Sequence, residues 1–466
     1  MTMTVATDAR AEVAKRARFD GLIWFVLGGL LLVIQGFALE RVSPDSMADF
    51  GSVYYGSRCL LRHADPYKTS DLVQTFQSDA KVYASAAEPL HHVVMICVNL
   101  PTMLVLVIPF ALLPWGPGHV LWMLAIATSF IVAAYLMWSI GARDAPIASG
   151  VLIGLFLIGS EMLLEIGNPS GIAVSLCVIA VWCFLKGRFA PLGVFCLALS
   201  VVCKPHVAGL VWLYFLLAGG VYRKRAWQTL ALTAIIILPA ALWVWHVAPH
   251  WMAELRANLQ TASVHGNTDD PGPVGLDPRV HGAIMISLQT VFSVFRDDPR
   301  FYNPMTYLVC GPLLLVWAIT TMRKRFSHEG AWLALASIAA LSMLPLYHRL
   351  HDTSLLLLAF PAFAMLWAKG GPTSWLALLF TGAGAVFTGD FPVQILANQS
   401  AHLRASTPGL LGEVLTLALA RPVPLVLLAM GIFYLCVYVR HRAPDPDEAQ
   451  TRKIAQLRNL EIQMGS

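Results

Sequence analysis

Charge is scarce in this chain. Of 466 residues only 13% are Asp, Glu, Lys or Arg, while 57% are apolar. Soluble domains carry about 25% charged residues, so the composition excludes an ordinary soluble protein. Long polar stretches are also few. The two longest, residues 40–92 and 248–301, are too short to form much of an independent core. The eight cysteines include no pair at metal-ligand spacing; seven lie in or beside apolar runs and only Cys59 sits in a polar loop, which argues against a disulfide framework and against zinc. No Walker loop, dinucleotide glycine fingerprint, His-Glu-x-x-His motif or Gly-x-Ser-x-Gly elbow is present, which argues against energy from ATP and against hydride transfer.

What is there is apolar sequence in runs near the length of about 20 residues that a bilayer-spanning helix needs. Thirteen candidates lie at 21–39, 93–113, 118–140, 147–164, 172–185, 192–203, 207–221, 227–247, 302–321, 331–346, 353–367, 374–388 and 410–439. The first carries no small-residue cleavage site and reads as a retained helix. The net charge of +5 is concentrated at the N-terminus, at Arg223-Lys224-Arg225, at Arg323-Lys324-Arg325 and in the tail. These clusters flank apolar spans, so they mark cytoplasmic loops and not a nucleic-acid surface.

Placing residues 40–92 outside and Arg223–Arg225 inside requires an odd number of crossings between them, but six runs intervene. One segment between His92 and Leu185 is therefore expected to be half-length or re-entrant. The expectation is an all-α polytopic protein with about 12 crossings and both termini cytoplasmic. Residues 1–440 would form one membrane domain, followed by a tail over 441–466. No internal repeat of the inverted kind found in transporters is visible.

The outer face would then collect the first loop, the second loop, Glu165 and Asn168, Lys204 and His206, and the turn Tyr347–Asp352. Asp49 opens a segment in which Phe50, Val53, Tyr54, Leu60 and Leu61 make one helical stripe. Ser52, Ser57, Arg58 and Arg62 lie opposite, as in a short helix on a membrane surface. An aspartate there is either an N-cap or a reactive acid, and the roles can coexist. An acid at the first outer surface, followed by an amphipathic segment, is the layout of an enzyme acting on lipid-carried substrates more than that of a pore.

Charged groups at the edge of apolar runs cost several kcal/mol unless paired or wetted, so each raises a functional question. Glu161 and Glu165 share a helix face before the helix-breaking Gly167-Asn168-Pro169-Ser170-Gly171. Lys204-Pro205-His206 interrupts an apolar stretch, and the lysine is either a point charge for a phosphate or a snorkelling side chain. Tyr347-His348-Arg349-Leu350-His351-Asp352 is the densest polar cluster between two spans. Arg and His at a helix start suit a phosphate; a solvated turn is the plainer alternative. Asp352 caps that helix or orients a histidine, and His91-His92 are equally compatible with an interface position.

Four stretches carry a resemblance. They are Asp49-Phe-Gly-Ser-Val-Tyr-Tyr55 running on to Leu60-Leu61 and Asp65-Pro-Tyr67; Asn99-Leu-Pro101 leading to Ile108-Pro-Phe-Ala-Leu-Leu-Pro114; Gly167-Asn168 followed by Gly187-Arg188 and Lys204-Pro205; and His348–Asp352 before an apolar helix. In this order and spacing the chain resembles glycosyltransferase family 87, of the GT-C membrane glycosyltransferases. The resemblance implies transfer of one sugar, with mannose the family-based guess, from a polyprenyl-phosphate donor to a lipid or glycan acceptor hydroxyl. The reaction would take place on the extracytoplasmic side of the plasma (inner) membrane. It also implies one carboxylate of the first loop as general base, which falls on Asp49, with Asp45 as runner-up. Lys204, His348, Arg349 and His351 become candidates for the donor phosphate. Tyr54, Arg58, Glu165, Asn168, His206 and Asp352 are further site candidates. No cofactor and no metal are expected, because basic side chains already match the leaving phosphate. Two other readings remain at this point: a lipid-linked sugar transporter or flippase, and an oligosaccharide ligase, for which Arg256, Arg279, Arg296 and Arg300 of the second loop would serve.

Overall fold

A computed structural model describes residues 2–42, 46–80, 96–264, 269–272, 285–389 and 410–442, with a few positions between 392 and 399. Asp45, His91, His92, Arg279 and the tail beyond 442 lie outside the described residues. The described residues are almost entirely helical. Seven helices are long and apolar enough to cross a membrane: Glu12–Val42, Trp115–Gly141, Pro146–Glu165, Gly220–Val247, Pro299–Arg323, Leu350–Lys369 and Pro422–Arg440. Shorter apolar helices are Pro101–Ala111, Ser170–Lys186, Ala190–Cys203, Pro205–Ala218 and Pro372–Phe387. The protein is thus a multi-pass membrane protein.

Several expected spans are divided or shortened, each for a local reason. The run at 93–113 yields only the helix Pro101–Ala111. Eleven residues rise about 16 Å, half of a hydrocarbon layer of about 30 Å, so this is a half-length segment in the interval where one was expected. The run at 410–439 is two helices, Leu410–Ala420 and Pro422–Arg440, parted at Arg421 because Pro422 lacks an N–H and biases the residue before it away from helix. Conversely, the polar second loop contains a helix at Trp251–Ala262 that apolar periodicity alone did not reveal.

Layering runs from a buried centre outward. In Leu350–Lys369, 89% of the apolar window is buried, against 17% in Gly220–Val247. His328–Leu341 and Leu350–Lys369 form the centre, with Ser170–Lys186 and Pro422–Arg440 packed on them. Leu350–Ala359 is a 3₁₀ helix that continues as the α-helix Phe360–Lys369. The first helix packs along Pro146–Ile158. Glycines let the two backbones touch: a Cβ on Gly28 would stand 2.5 Å from the Cα of Gly154, and one on Gly150 2.2 Å from the carbonyl oxygen of Gly21. In a lipid environment such close approach of small residues is a main source of helix association.

The segment Ala48–Leu61 is helical, as its stripe requires, but most of its polar side is enclosed, with Arg62 at its end left exposed. Ser52 and Ser57 are buried along with Phe50, Val53, Tyr54 and Leu60. Pro101–Ala111 and Thr69–Ala80 pack against it, and Ser57 Oγ donates to the carbonyl of Leu104 at 2.7 Å. The expected helix lying on the surface is therefore an enclosed one, since the short helix after the first loop folds over it.

We expect Gly28→Leu to destabilise the protein by about 1–3 kcal/mol or more, the range for overpacking a tight contact. A melting curve of the detergent-purified variant that overlays the wild type would contradict this packing.

Candidate active site

The start of the Ala48–Leu61 helix is held by another segment's backbone. Glu165 O accepts from Met47 N at 2.7 Å, and Ile166 O accepts from Asp49 N at 3.0 Å and from Phe50 N at 3.3 Å. Three N–H groups that a helix start leaves unpaired are thereby satisfied. Met47, in a left-handed conformation, occupies the N-cap without a side-chain cap bond. The capping reading of Asp49 fails for this reason: its carboxylate is not needed there.

Delivery of those carbonyls depends on Gly167. Its φ is +64°, and a Cβ there would lie 2.8 Å from Phe50 Cβ, so the position admits glycine on two counts. Gly167 O also accepts from Trp122 Nε1 at 2.8 Å.

With its backbone so anchored, Asp49 turns its side chain to Asn168. Asn168 Nδ2 donates to Asp49 Oδ2. Asn168 Oδ1 accepts from Lys204 Nζ at 3.0 Å and from Ser170 N at 2.8 Å. One amide thus joins the acid of the first loop to the lysine at the Cys203–Pro205 helix break. Asp49 Oδ1 has no protein partner among the described residues, and the residue keeps partial exposure.

Lys204 ends the helix Ala190–Cys203 and precedes Pro205–Ala218 in an extended conformation. Pro205 forbids a continuous helix, and Thr102 Oγ1 donates to the freed carbonyl of Val202 at 2.9 Å. Lys204 Nζ lies 3.3 Å from Asp352 Oδ1, 3.4 Å from His351 Nε2 and 2.5 Å from Ser170 Oγ. Asp352 is buried and also accepts from Ser170 Oγ and from the Arg349 backbone N–H at 3.1 Å. The lysine side chain is 17% exposed, so it sits in the protein and does not snorkel to headgroups.

The turn 344–349 is pinned by the end of the second loop. Ile286 N donates to His348 O at 3.0 Å and Leu288 N to Leu344 O at 2.9 Å. Arg349 pairs with Asp269 at 2.5 Å, and Tyr347 Oη donates to the same carboxylate oxygen at 3.0 Å. The charge of Asp49 acts on both Arg349 and Tyr347, which places the turn beside the first-loop acid. His348 packs edge-to-face on His206, with ring centroids 5.0 Å apart. Burial pushes the His348 imidazole below its usual range, so the ring stays neutral near pH 7.

Among the sequence candidates, Asp49, Asn168, Lys204, His351 and Asp352 form one connected network, with Arg349, His348 and His206 adjoining it. Tyr54 and Arg58 are committed elsewhere: Tyr54 Oη donates to Leu113 O at 2.8 Å, and Arg58 bonds Ala111 O and pairs with Asp79. Glu165 contributes its backbone carbonyl, and no side-chain bond of it appears among the described residues. Asp269 is a participant that the sequence reading passed over, and Tyr347 and Ser170 lay in segments it singled out without being named as site candidates. The only advance signal for Asp269 was a carboxylate in a long polar loop, which is common to every such loop. A metal-like grouping also exists: ligand atoms of His206, His348 and Asp352 lie within 4.8 Å of one another. Lys204, 3.3 Å from the Asp352 carboxylate, opposes a cation there.

Removing one partner of a buried ion pair strands the other and costs about 3–5 kcal/mol. Lys204→Met is accordingly expected to lower stability by about that amount, and adding Asp352→Asn to recover part of it. Additive losses in a double-mutant cycle of chemical or thermal unfolding would show that the pair is not coupled.

Comparison with curated proteins and with solved structures finds no match. The profile of glycosyltransferase family 87 matches residues 98–346, more than half of the chain. Those residues include Asn168, Lys204 and the helices that carry them, and they end just before the His348–Asp352 turn. The chain therefore belongs to glycosyltransferase family 87 and is an enzyme that transfers a sugar from a donor to an acceptor.

Proposed function

We propose that the protein transfers a single sugar, with inversion, from a polyprenyl-phosphate donor to a hydroxyl of a lipid or glycan acceptor. We assign mannose as the sugar, about 12 membrane crossings in a GT-C arrangement, and a site on the extracytoplasmic face of the plasma membrane. The observation that carries this reading is the orientation of Asp49. One carboxylate oxygen is held by Asn168, and the other has no protein partner among the described residues, at a partly exposed position. A general base needs that combination of a fixed direction and a free lone pair.

In this mechanism the acceptor hydroxyl gives its proton to Asp49 as its oxygen bonds the anomeric carbon. The bond from that carbon to the phosphate oxygen breaks on the opposite face, and the electron pair leaves with polyprenyl phosphate. Lys204, bonded to Asn168, receives the developing charge together with His351 beside it and Arg349 of the neighbouring turn. Prearranged cations in a shielded site often supply the largest single contribution to rate. Both strong cations are already paired, Lys204 with Asp352 and Arg349 with Asp269. Asp352 is buried under Ser170 and the Arg349 backbone and stays in place, whereas Asp269 belongs to the second loop. Donor phosphate would therefore share Lys204 with Asp352 and compete with Asp269 for Arg349. No metal is assigned a step.

Asp49→Asn should leave the protein folded and membrane-inserted while lowering transfer from polyprenyl-phosphate mannose by about 10²–10⁴-fold, the usual worth of a general base. Turnover of that variant within a factor of a few of wild type would remove Asp49 from the chemistry. Arg349→Gln and His351→Gln should raise the KM for donor more than that for acceptor; equal changes would point to a folding defect. A panel of labelled polyprenyl-phosphate sugars tests the donor, and movement of the lipid across the bilayer without sugar transfer would favour a flippase.

A further inference from the structure

A second cationic site lies at the other end of the helices that carry the first. Pro205–Ala218 begins beside Lys204 and ends at Ala218, and His328–Leu341 runs toward the His348 turn from its start at Ser327. Ala218, Ser327 and Gly330 line one cavity of about 430 Å³, within the range of about 300–1,000 Å³ that accommodates small ligands. Fourteen helical residues rise about 21 Å, so this cavity is well removed from Asn168 and Lys204.

Its charged lining is basic: Lys324, Arg325, His441 and Arg442 contribute, and among the described residues no acid does. Lys324 is already engaged. Its Nζ donates to the carbonyls of Tyr438, of Val439 at 3.0 Å and of His441 at 2.5 Å, closing the C-terminal end of the last helix. His441 Nε2 is 3.3 Å from Ser327 Oγ. Arg325 and Arg442 are exposed and have no partner among the described residues. Among the described residues, Glu329 is an acid whose charge reaches His441, and it pairs with Lys369 at 2.6 Å. The start of His328–Leu341, where Ser327 Oγ accepts from Gly330 N at 3.0 Å, adds the positive end of a helix dipole. Beside the cavity the surface turns apolar, with Met322 and Phe326 exposed.

We propose that this cavity binds the phosphodiester headgroup of an anionic membrane lipid. The two free guanidiniums hold the phosphate oxygens, a match of planar donors to oxyanion that arginine makes better than lysine. The bordering Met322 and Phe326 lie against the acyl chains. A soluble anion would use the charges but would gain nothing from the apolar rim, and on this ground we assign the occupant to the bilayer. The site is independent of the sugar-transfer chemistry, since none of its residues belongs to the Asp49–Lys204 network.

The test is native mass spectrometry of the full-length protein in detergent, with phosphatidylglycerol and phosphatidylcholine of identical chains. Wild type is expected to retain phosphatidylglycerol in preference to phosphatidylcholine. The double variant R325Q/R442Q is expected to lose that preference by about 30-fold, the order expected for two arginines facing an anionic headgroup. R325K/R442K should keep part of it and Asp49→Asn all of it, each with an unchanged melting temperature. Equal retention of the two lipids by wild type, or undiminished preference in R325Q/R442Q, would overturn the proposal. So would a second result: thermal protection by millimolar inorganic phosphate alone that equals the lipid's and disappears in R325Q/R442Q, which would assign the cavity to a soluble anion.

Discussion

Everything at the site is referred to one side-chain amide, that of Asn168. Its nitrogen faces an acid and its oxygen faces a cation and a backbone N–H. An amide can do this because it carries donors and an acceptor at fixed separation on a rigid plane. A carboxylate at this position would repel Asp49, and an apolar residue would leave Lys204 with one partner fewer in a partly buried setting. The loop that presents Asn168 also caps the Ala48–Leu61 helix through the carbonyls of Glu165 and Ile166. Orientation of the acid and anchoring of its backbone therefore come from the same few residues, 165–168.

Charge compensation sets the second constraint. Lys204 and Arg349 enter a protein with little water around them, and each does so with an acid: Asp352 for the first, Asp269 for the second. Buried pairs of this kind contribute little net stability, because desolvation offsets their attraction. Their consequence is positional. Lys204 stands at the break between two helices, Asp352 at the start of a 3₁₀ segment, and the bond between them fixes how those elements meet. The two acids differ in freedom. Asp352 is enclosed by Ser170, Lys204 and the Arg349 backbone, while Asp269 comes from the second loop and is partly exposed. A ligand phosphate can replace the second acid at far smaller cost than the first.

The membrane imposes the third. Glycine contacts pack the first helix along Pro146–Ile158, and the Glu165 and Ile166 carbonyls at the end of that span cap the helix that follows the first. Breaks at Pro205 and Pro422, and the half-length helix Pro101–Ala111, put non-helical backbone next to packed protein, where its carbonyls find donors such as Thr102. The break at Pro205 also presents Lys204, which joins Asn168 and Asp352.

Much of this was legible in the chain itself. Runs of apolar residues announce membrane helices because bilayer thickness fixes their length. Asp49, Asn168, Lys204, His351 and Asp352 were recognisable because a polar group beside an apolar run is costly without a reason. Their connection was not legible. Asp49 and Asn168 are 119 positions apart and Lys204 and Asp352 are 148 apart, and no local periodicity reports such contacts. Tyr54 and Arg58 show the limit from the other side: their position beside Asp49 in sequence made them candidates, and helical geometry turned them toward Leu113 and Asp79 instead. Asp269 acquired meaning only through Arg349, and the enclosure of the Ala48–Leu61 helix only through Pro101–Ala111. Sequence alone determined which residues must avoid lipid, because transfer free energy belongs to each side chain. Which of them share a hydrogen bond was decided by the packing of distant helices, because that depends on where the backbone of one element ends against another.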